Sequence, residues 1–136
     1  MDTNIIKNLI RLGRVSTVDG STATATVTFG DKDALVSKSL PVMQYGTKSN
    51  KSYWLPDIDS LVVCAFLPNP SGHGLGDGVV LGCIYSDVDT VPQTDAGVKI
   101  IEFANGDYIK YDDGDLTIKV SGDIVINGST VNLNPR

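Results

Sequence analysis

At 136 residues, 41% hydrophobic and 20% charged, the chain has the composition of one ordinary globular domain, or of a small domain with an extension. Its net charge of -5, with 16 acidic against 11 basic residues, disfavours nonspecific binding to nucleic-acid phosphates. No apolar run is long enough to span a bilayer as a helix and the start shows no secretory cleavage pattern, so synthesis in the cytosol is expected.

Asp2-Thr3-Asn4 offers N-cap chemistry, and Ile5, Ile6, Leu9 and Ile10 fall on one stripe of a helix that Gly13 would stop. A short amphipathic helix over 1–12 is therefore expected, docked either on its own domain or on a neighbouring subunit. From Gly13 the period changes to two. Val15 to Val18, then Asp19-Gly20, then Ala23 to Phe29 reads as a hairpin, with Ala23, Ala25, Val27 and Phe29 on one face and Asp-Gly supplying the positive φ of a tight turn. A third strand around Leu35–Met43 carries Pro41, which suits a sheet edge or a bulge. Gln44–Ser52 is polar and reads as a loop.

Two apolar runs follow, Leu61–Leu67 and Val79–Tyr85, both of strand length and rich in β-branched residues. Their connector, Pro68 to Gly78, can continue neither helix nor ladder, because proline lacks a donor and glycine costs entropy. The pair reads as a long-looped antiparallel hairpin at the centre of a small five-stranded barrel of OB type spanning 13–88. Trp54 stands just before it, where an indole would close one barrel end. Val15, Val27, Phe29, Trp54, Val63, Phe66, Val80 and Ile84 make up the expected barrel core. Cys64 and Cys83 read as buried thiols, with a cross-strand bond left open.

Residues 89–97 read as a polar linker. After it, over 98–136, come short alternating pieces divided by glycine: Val98 and Ile100; Ile109 and Tyr111; Leu116, Ile118 and Val120; Ile124 and Ile126; Val131 and Leu133. Asn105-Gly106-Asp107, Asp113-Gly114-Asp115, Gly122-Asp123 and Asn127-Gly128 mark turns or bulges between them. No helix follows to cover these strands, and a lone copy could neither bury their apolar faces nor satisfy their edges. An obligate oligomer closed by symmetry solves both problems. Ile109, Tyr111, Leu116, Ile118, Val120, Ile124, Ile126, Val131 and Leu133 are its expected core.

The search for chemistry is negative. His73 is the only histidine, and its Gly72–Gly78 setting lacks both the dinucleotide and the Gly-Lys-Ser/Thr phosphate patterns. Asp112-Asp113-Gly114-Asp115 does not fit the EF-hand register and reads as a solvated turn. No catalysis and no cofactor or metal are expected. A nucleic-acid-binding OB module is the alternative, weakened by the acidic total and by few aromatics near the lysines.

One stretch carries a resemblance. Trp54-Leu55-Pro56, the acidic Asp57, a strand ending in Phe66, then Asp77-Gly78-Val79-Val80-Leu81-Gly82 and Tyr85 resemble the N-terminal OB domain of baseplate assembly protein V. In that family a glycine often precedes the first of these strands; here Asp59-Ser60 stands in its place. The family forms the trimeric central spike of contractile-tailed bacteriophages and related injection machines. The resemblance implies an all-β chain in which an OB barrel, preceded by a short helix, leads into an intertwined triple-stranded β-helix. It further implies a homotrimer in the virion baseplate, assembled in the bacterial cytoplasm, with hub proteins at the barrel end and the host envelope as target. Some members close the spike with iron held by a His-x-His motif from three chains. Residues 86–136 contain no His, Cys or Met, so a blunt end is expected instead, with Val131, Leu133 and Arg136 contacting a separate tip protein of the PAAR-repeat kind.

Overall fold

The described residues form eight strands, joined by turns in which aspartate, asparagine and glycine recur. They are β1 (Ile10–Asp19), β2 (Thr24–Thr28), β3 (Leu40–Pro41), β4 (Leu61–Phe66), β5 (Gly78–Ile84), β6 (Lys99–Glu102), β7 (Tyr108–Asp112) and β8 (Asp115–Lys119). The computed structural model describes residues 9–30, 35–67 and 77–134. The chain divides into two compact units, Met1–Asp89 and Thr90–Arg136.

The first unit is a five-stranded sheet in the order β3-β2-β1-β4-β5. β1 is its central strand, pairing with β2 along one half and β4 along the other, both antiparallel. The β4–β5 hairpin, expected at the centre, therefore supplies one flank and one end of the sheet. A parallel bridge between Val42 and Val80, with Met43 N–H donating to Val80 O at 2.9 Å, joins the two ends, so the sheet curls back on itself. Pro41 sits in β3, which among the described residues has one ladder partner, β2, so its missing donor interrupts no second ladder there.

Val15, Ala25, Val27, Phe29, Leu40, Val62, Cys64, Phe66 and Val80 form the core of this unit. The Phe29 and Phe66 rings meet edge to face at 5.7 Å, and the Arg11 guanidinium lies 4.4 Å from the centroid of Phe29. Ser37 is the buried polar residue; its hydroxyl accepts from Val27 N–H and donates to Lys38 O.

Several expectations for this unit require correction. The helix over 1–12 gives way, over its described part, to strand: Ile10 to Leu12 belong to β1, and no described residue is helical. Residues 1–8 lie outside the described residues. Gly13 stops nothing. A Cβ there would lie 2.5 Å from Val27 Cγ1 and 2.8 Å from Thr28 O, so glycine permits β1 to pack closely on β2. The β1–β2 turn is not a tight Asp-Gly turn either. Asp19 pairs with Thr24 across four loop residues, and the left-handed one is Ala23, at φ 54°. The Asp19 carboxylate accepts from both the amide and the hydroxyl of Ser21, which holds that carboxyl below its usual range.

Three of the residues expected in the core lie elsewhere. β4 is apolar on both faces, so hydrophobicity alone leaves its phase ambiguous; Val62, Cys64 and Phe66 point inward, and Val63 is half-buried. Trp54 is 57% exposed, because it belongs to a loop held by polar bonds; Pro56, two residues on, is buried. Ile84 is 42% exposed at the last position of β5. Cys64 is buried opposite Val80 while Cys83 is exposed opposite Val62, and both are free thiols, so the two do not face each other.

The second unit is a three-stranded antiparallel sheet in the order β6-β7-β8. Asp113 at φ 46° and Gly114 at φ 93° form the two-residue β7–β8 turn, the arrangement whose twist matches that of the flanking strands. The segments around Ile124 and Ile126 and around Val131 and Leu133, expected as strands, form none within the chain.

Candidate functional site: an uncovered apolar sheet face

Register decides what the second unit presents. Ile101 of β6 stands opposite Ile109 of β7, and Ile109 opposite Ile118 of β8. One step along the same face, Lys99, Tyr111 and Leu116 form the next row. Side chains alternate across a sheet, so these two rows share one face and the intervening rows share the other. The other face is polar: Glu102, Tyr108 and Lys119 form one row, and Ile100, Lys110 and Thr117 the next. There the ammonium groups of Lys110 and Lys119 lie 5.6 and 5.8 Å from the Tyr108 ring centroid. The sheet is thus two-sided in chemistry.

Among the described residues of the second unit, none covers the apolar side. Leu116 is 65% exposed and Ile118 48%, and Ile101, Ile109 and Tyr111 are exposed as well. No described residue of the second unit is buried, whereas the first unit holds the whole core.

Of the residues expected to form an assembly core, Ile109, Tyr111, Leu116 and Ile118 come together on this face, and Val120 follows directly after β8. Ile124, Ile126, Val131 and Leu133 are exposed and stand outside any strand. Arg136 lies outside the described residues. Ile101 escaped the sequence reading. In Lys99-Ile100-Ile101-Glu102 two adjacent isoleucines serve opposite faces, and only the pairing with β7 tells which one joins Ile109.

A polar clasp fixes how the chain leaves this sheet. The Asp107 carboxylate accepts from the Ser121 amide at 3.1 Å, the Ser121 hydroxyl at 3.2 Å and the Asn105 side-chain amide at 3.0 Å. Ser121 and Asn105 together hold that carboxyl below its usual range. Ser121 is thereby tied to the β6–β7 turn.

Among the described residues no cluster of three or more His, Cys, Asp or Glu is arranged to hold a metal ion. His73 and the glycines around it lie outside the described residues. In the first unit Asp59, just before β4, adopts a glycine-like backbone at φ 74°. Its amide donates to Val15 O at 2.8 Å, and its carbonyl accepts from the Arg14 guanidinium at 2.9 Å. The turn into β4 is clamped to β1 by these bonds.

No known family model matches the chain, and no curated protein matches it either.

Proposed function

We propose that this chain is a structural subunit of the central spike of a contractile phage tail or a related injection machine. In this reading the first unit is an OB-type barrel that sits on baseplate hub proteins. The second unit joins two further copies in a triple-stranded β-helix around a common axis, pointing at the host envelope. Sheath contraction drives the stiff prism through that envelope, and no catalytic step is involved. The protein is assembled in the bacterial cytoplasm and resides in the virion baseplate.

The observation that carries the proposal is the bare apolar face of β6, β7 and β8 in a unit with no buried described residue. Three such faces turned toward one axis would bury each other, and the edges of β6 and β8 would gain partners. The segment 120–134, apolar at Ile124, Ile126, Val131 and Leu133, then has strands of other copies to pair with. The OB reading draws support from the β3-β2-β1-β4-β5 order with its parallel Val42–Val80 bridge. The resemblance between Trp54 and Tyr85 supplies the machine.

Immunogold labelling of purified contractile particles tests the assignment. Antibody against this chain should label the centre of the baseplate, and particles lacking the chain should adsorb without penetrating. Label on the sheath or head, or full infectivity without the chain, would overturn it.

A further inference from the structure

Between β3 and β4 the chain makes an ordered excursion, Gln44–Trp54, that contains no buried residue. Polar bonds hold it instead. Gln44 Oε1 accepts from Trp54 N–H at 3.0 Å while its Nε2 donates to Trp54 O at 2.8 Å, so one side chain serves both backbone groups of the far end. Ser52 Oγ accepts from Tyr45 N–H at 2.9 Å and donates to Gln44 Oε1 at 3.1 Å. Within the loop Ser52 N–H donates to Gly46 O at 2.9 Å, and an antiparallel bridge joins Thr47 to Lys51. A Cβ on Gly46 would collide with Asn50 O, so glycine permits this close fold. The Tyr53 hydroxyl donates to Gly20 O at 2.9 Å, tying the loop to the β1–β2 turn.

These bonds hide almost no apolar surface; they hold large aromatic groups outward. Tyr45 is fully exposed, and Tyr53 and Trp54 are each more than half exposed. Aromatic groups fixed before a partner arrives lose little freedom on binding, and Tyr and Trp are prominent among the residues that dominate protein–protein contacts. Charge adds a second, independent pointer. From Leu35 to Pro56 the chain carries Lys38, Lys48 and Lys51 and no acidic residue, although the whole chain has 16. The loop is locally positive on a negative molecule.

The geometry points to Gln44–Trp54 as a docking loop for an acidic protein surface. Tyr45, Tyr53 and Trp54 make its apolar contacts, and Lys48 and Lys51 pair with the partner's carboxylates. A nucleic acid fits less well: the loop holds two lysines and no arginine to fork onto phosphate oxygens. The inference concerns the first unit and stands whether or not the second unit assembles.

Trp54 is the only tryptophan, so its fluorescence reads the loop directly. Titrating the full chain with poly-L-glutamate at low salt should quench or shift that emission, and added salt should reverse the change. In the K48A/K51A variant half-saturation should rise by about tenfold, the scale expected when charge pairs that steer association are removed. Lys48→Gln alone should move it in the same direction, and matching thermal melts would show that the variants stay folded. No response to poly-L-glutamate, an unchanged response in K48A/K51A, or tighter binding of oligothymidylate would overturn the proposal.

Discussion

β4 and β8 are similar in length and both carry large apolar side chains, yet they end in opposite states. In β4 every second residue, Val62, Cys64 and Phe66, is buried; in β8 all of Asp115–Lys119 is exposed, Leu116 and Ile118 included. Composition separates them in part, since β4 is apolar on both faces and β8 only at Leu116 and Ile118, but it does not explain why those two side chains lack cover. The difference is closure. The first unit's sheet curls until Val42 meets Val80 and its inner face encloses itself, while the three strands of the second unit are too few to curl around anything. Alternation in β8 thus specifies which side wants cover, in β4 only the fold does, and in both the rest of the fold decides who provides it.

The largest effect that separates the two regions is on assembly. A chain ending at Ser86 should remain folded and run as a monomer by sedimentation, because the core lies wholly within it. A truncated form that still associates would move the assembly element into the first unit.

Single substitutions sharpen the same contrast. Phe29→Ala removes a ring buried against Phe66 and should lower stability by about 3–5 kcal/mol in denaturant unfolding. Ile118→Asp should leave the unfolding transition of the first unit unchanged and abolish association, since Ile118 is 48% exposed in the single chain. Equal destabilisation of the first unit by both would contradict the division of roles.

A smaller effect concerns pH and only the enclosed unit. Burial pushes the Cys64 thiol up to about 11, against a downward pull from Arg11. The unfolded thiol titrates near 9.0, so the stability contributed by the neutral form is complete below that pH and is lost as pH rises toward 11. Unfolding midpoints should fall across this window in the wild-type chain and fall less in Cys64→Ala. Cys83, also raised by partial burial and by Asp57 but exposed, should react first with a thiol reagent.

The smallest expected change is a gain. Asp59 holds a left-handed backbone, φ 74°, at the turn into β4. Asp59→Gly should relieve that strain and raise stability by up to about 1 kcal/mol, offset in part by the freedom glycine adds to the unfolded chain. A thermal melt resolves it; a loss would show that the Asp59 side chain contributes beyond its backbone.

Much of this was legible in the sequence because it depends on local pattern. Leu61–Leu67 and Val79–Tyr85 announce β4 and β5, Pro41 announces a strand with a single ladder, and Asp113-Gly114 announces the β7–β8 turn. What was not legible depends on partners distant in sequence. The phase of Leu61–Phe66 needed the inward Phe66, and the role of Ile101 rather than Ile100 needed its register with Ile109. Gly13 looked like a helix stop because its true neighbours, Val27 and Thr28, lie on another strand. Trp54 looked like a core residue because a large indole ordinarily is one; the Gln44 amide that holds its backbone in an exposed loop carries no pattern of its own. The bare face of the second unit was readable for a related reason: nothing nearby in the chain could cover it.

The mass of the intact chain in solution, followed by light scattering over micromolar concentrations, tests the central claim most directly. One species at three times 14.4 kDa, persisting on dilution, is the expected result. A stable, folded species at 14.4 kDa would contradict it, because the face formed by Ile101, Ile109 and Ile118 would then need no cover.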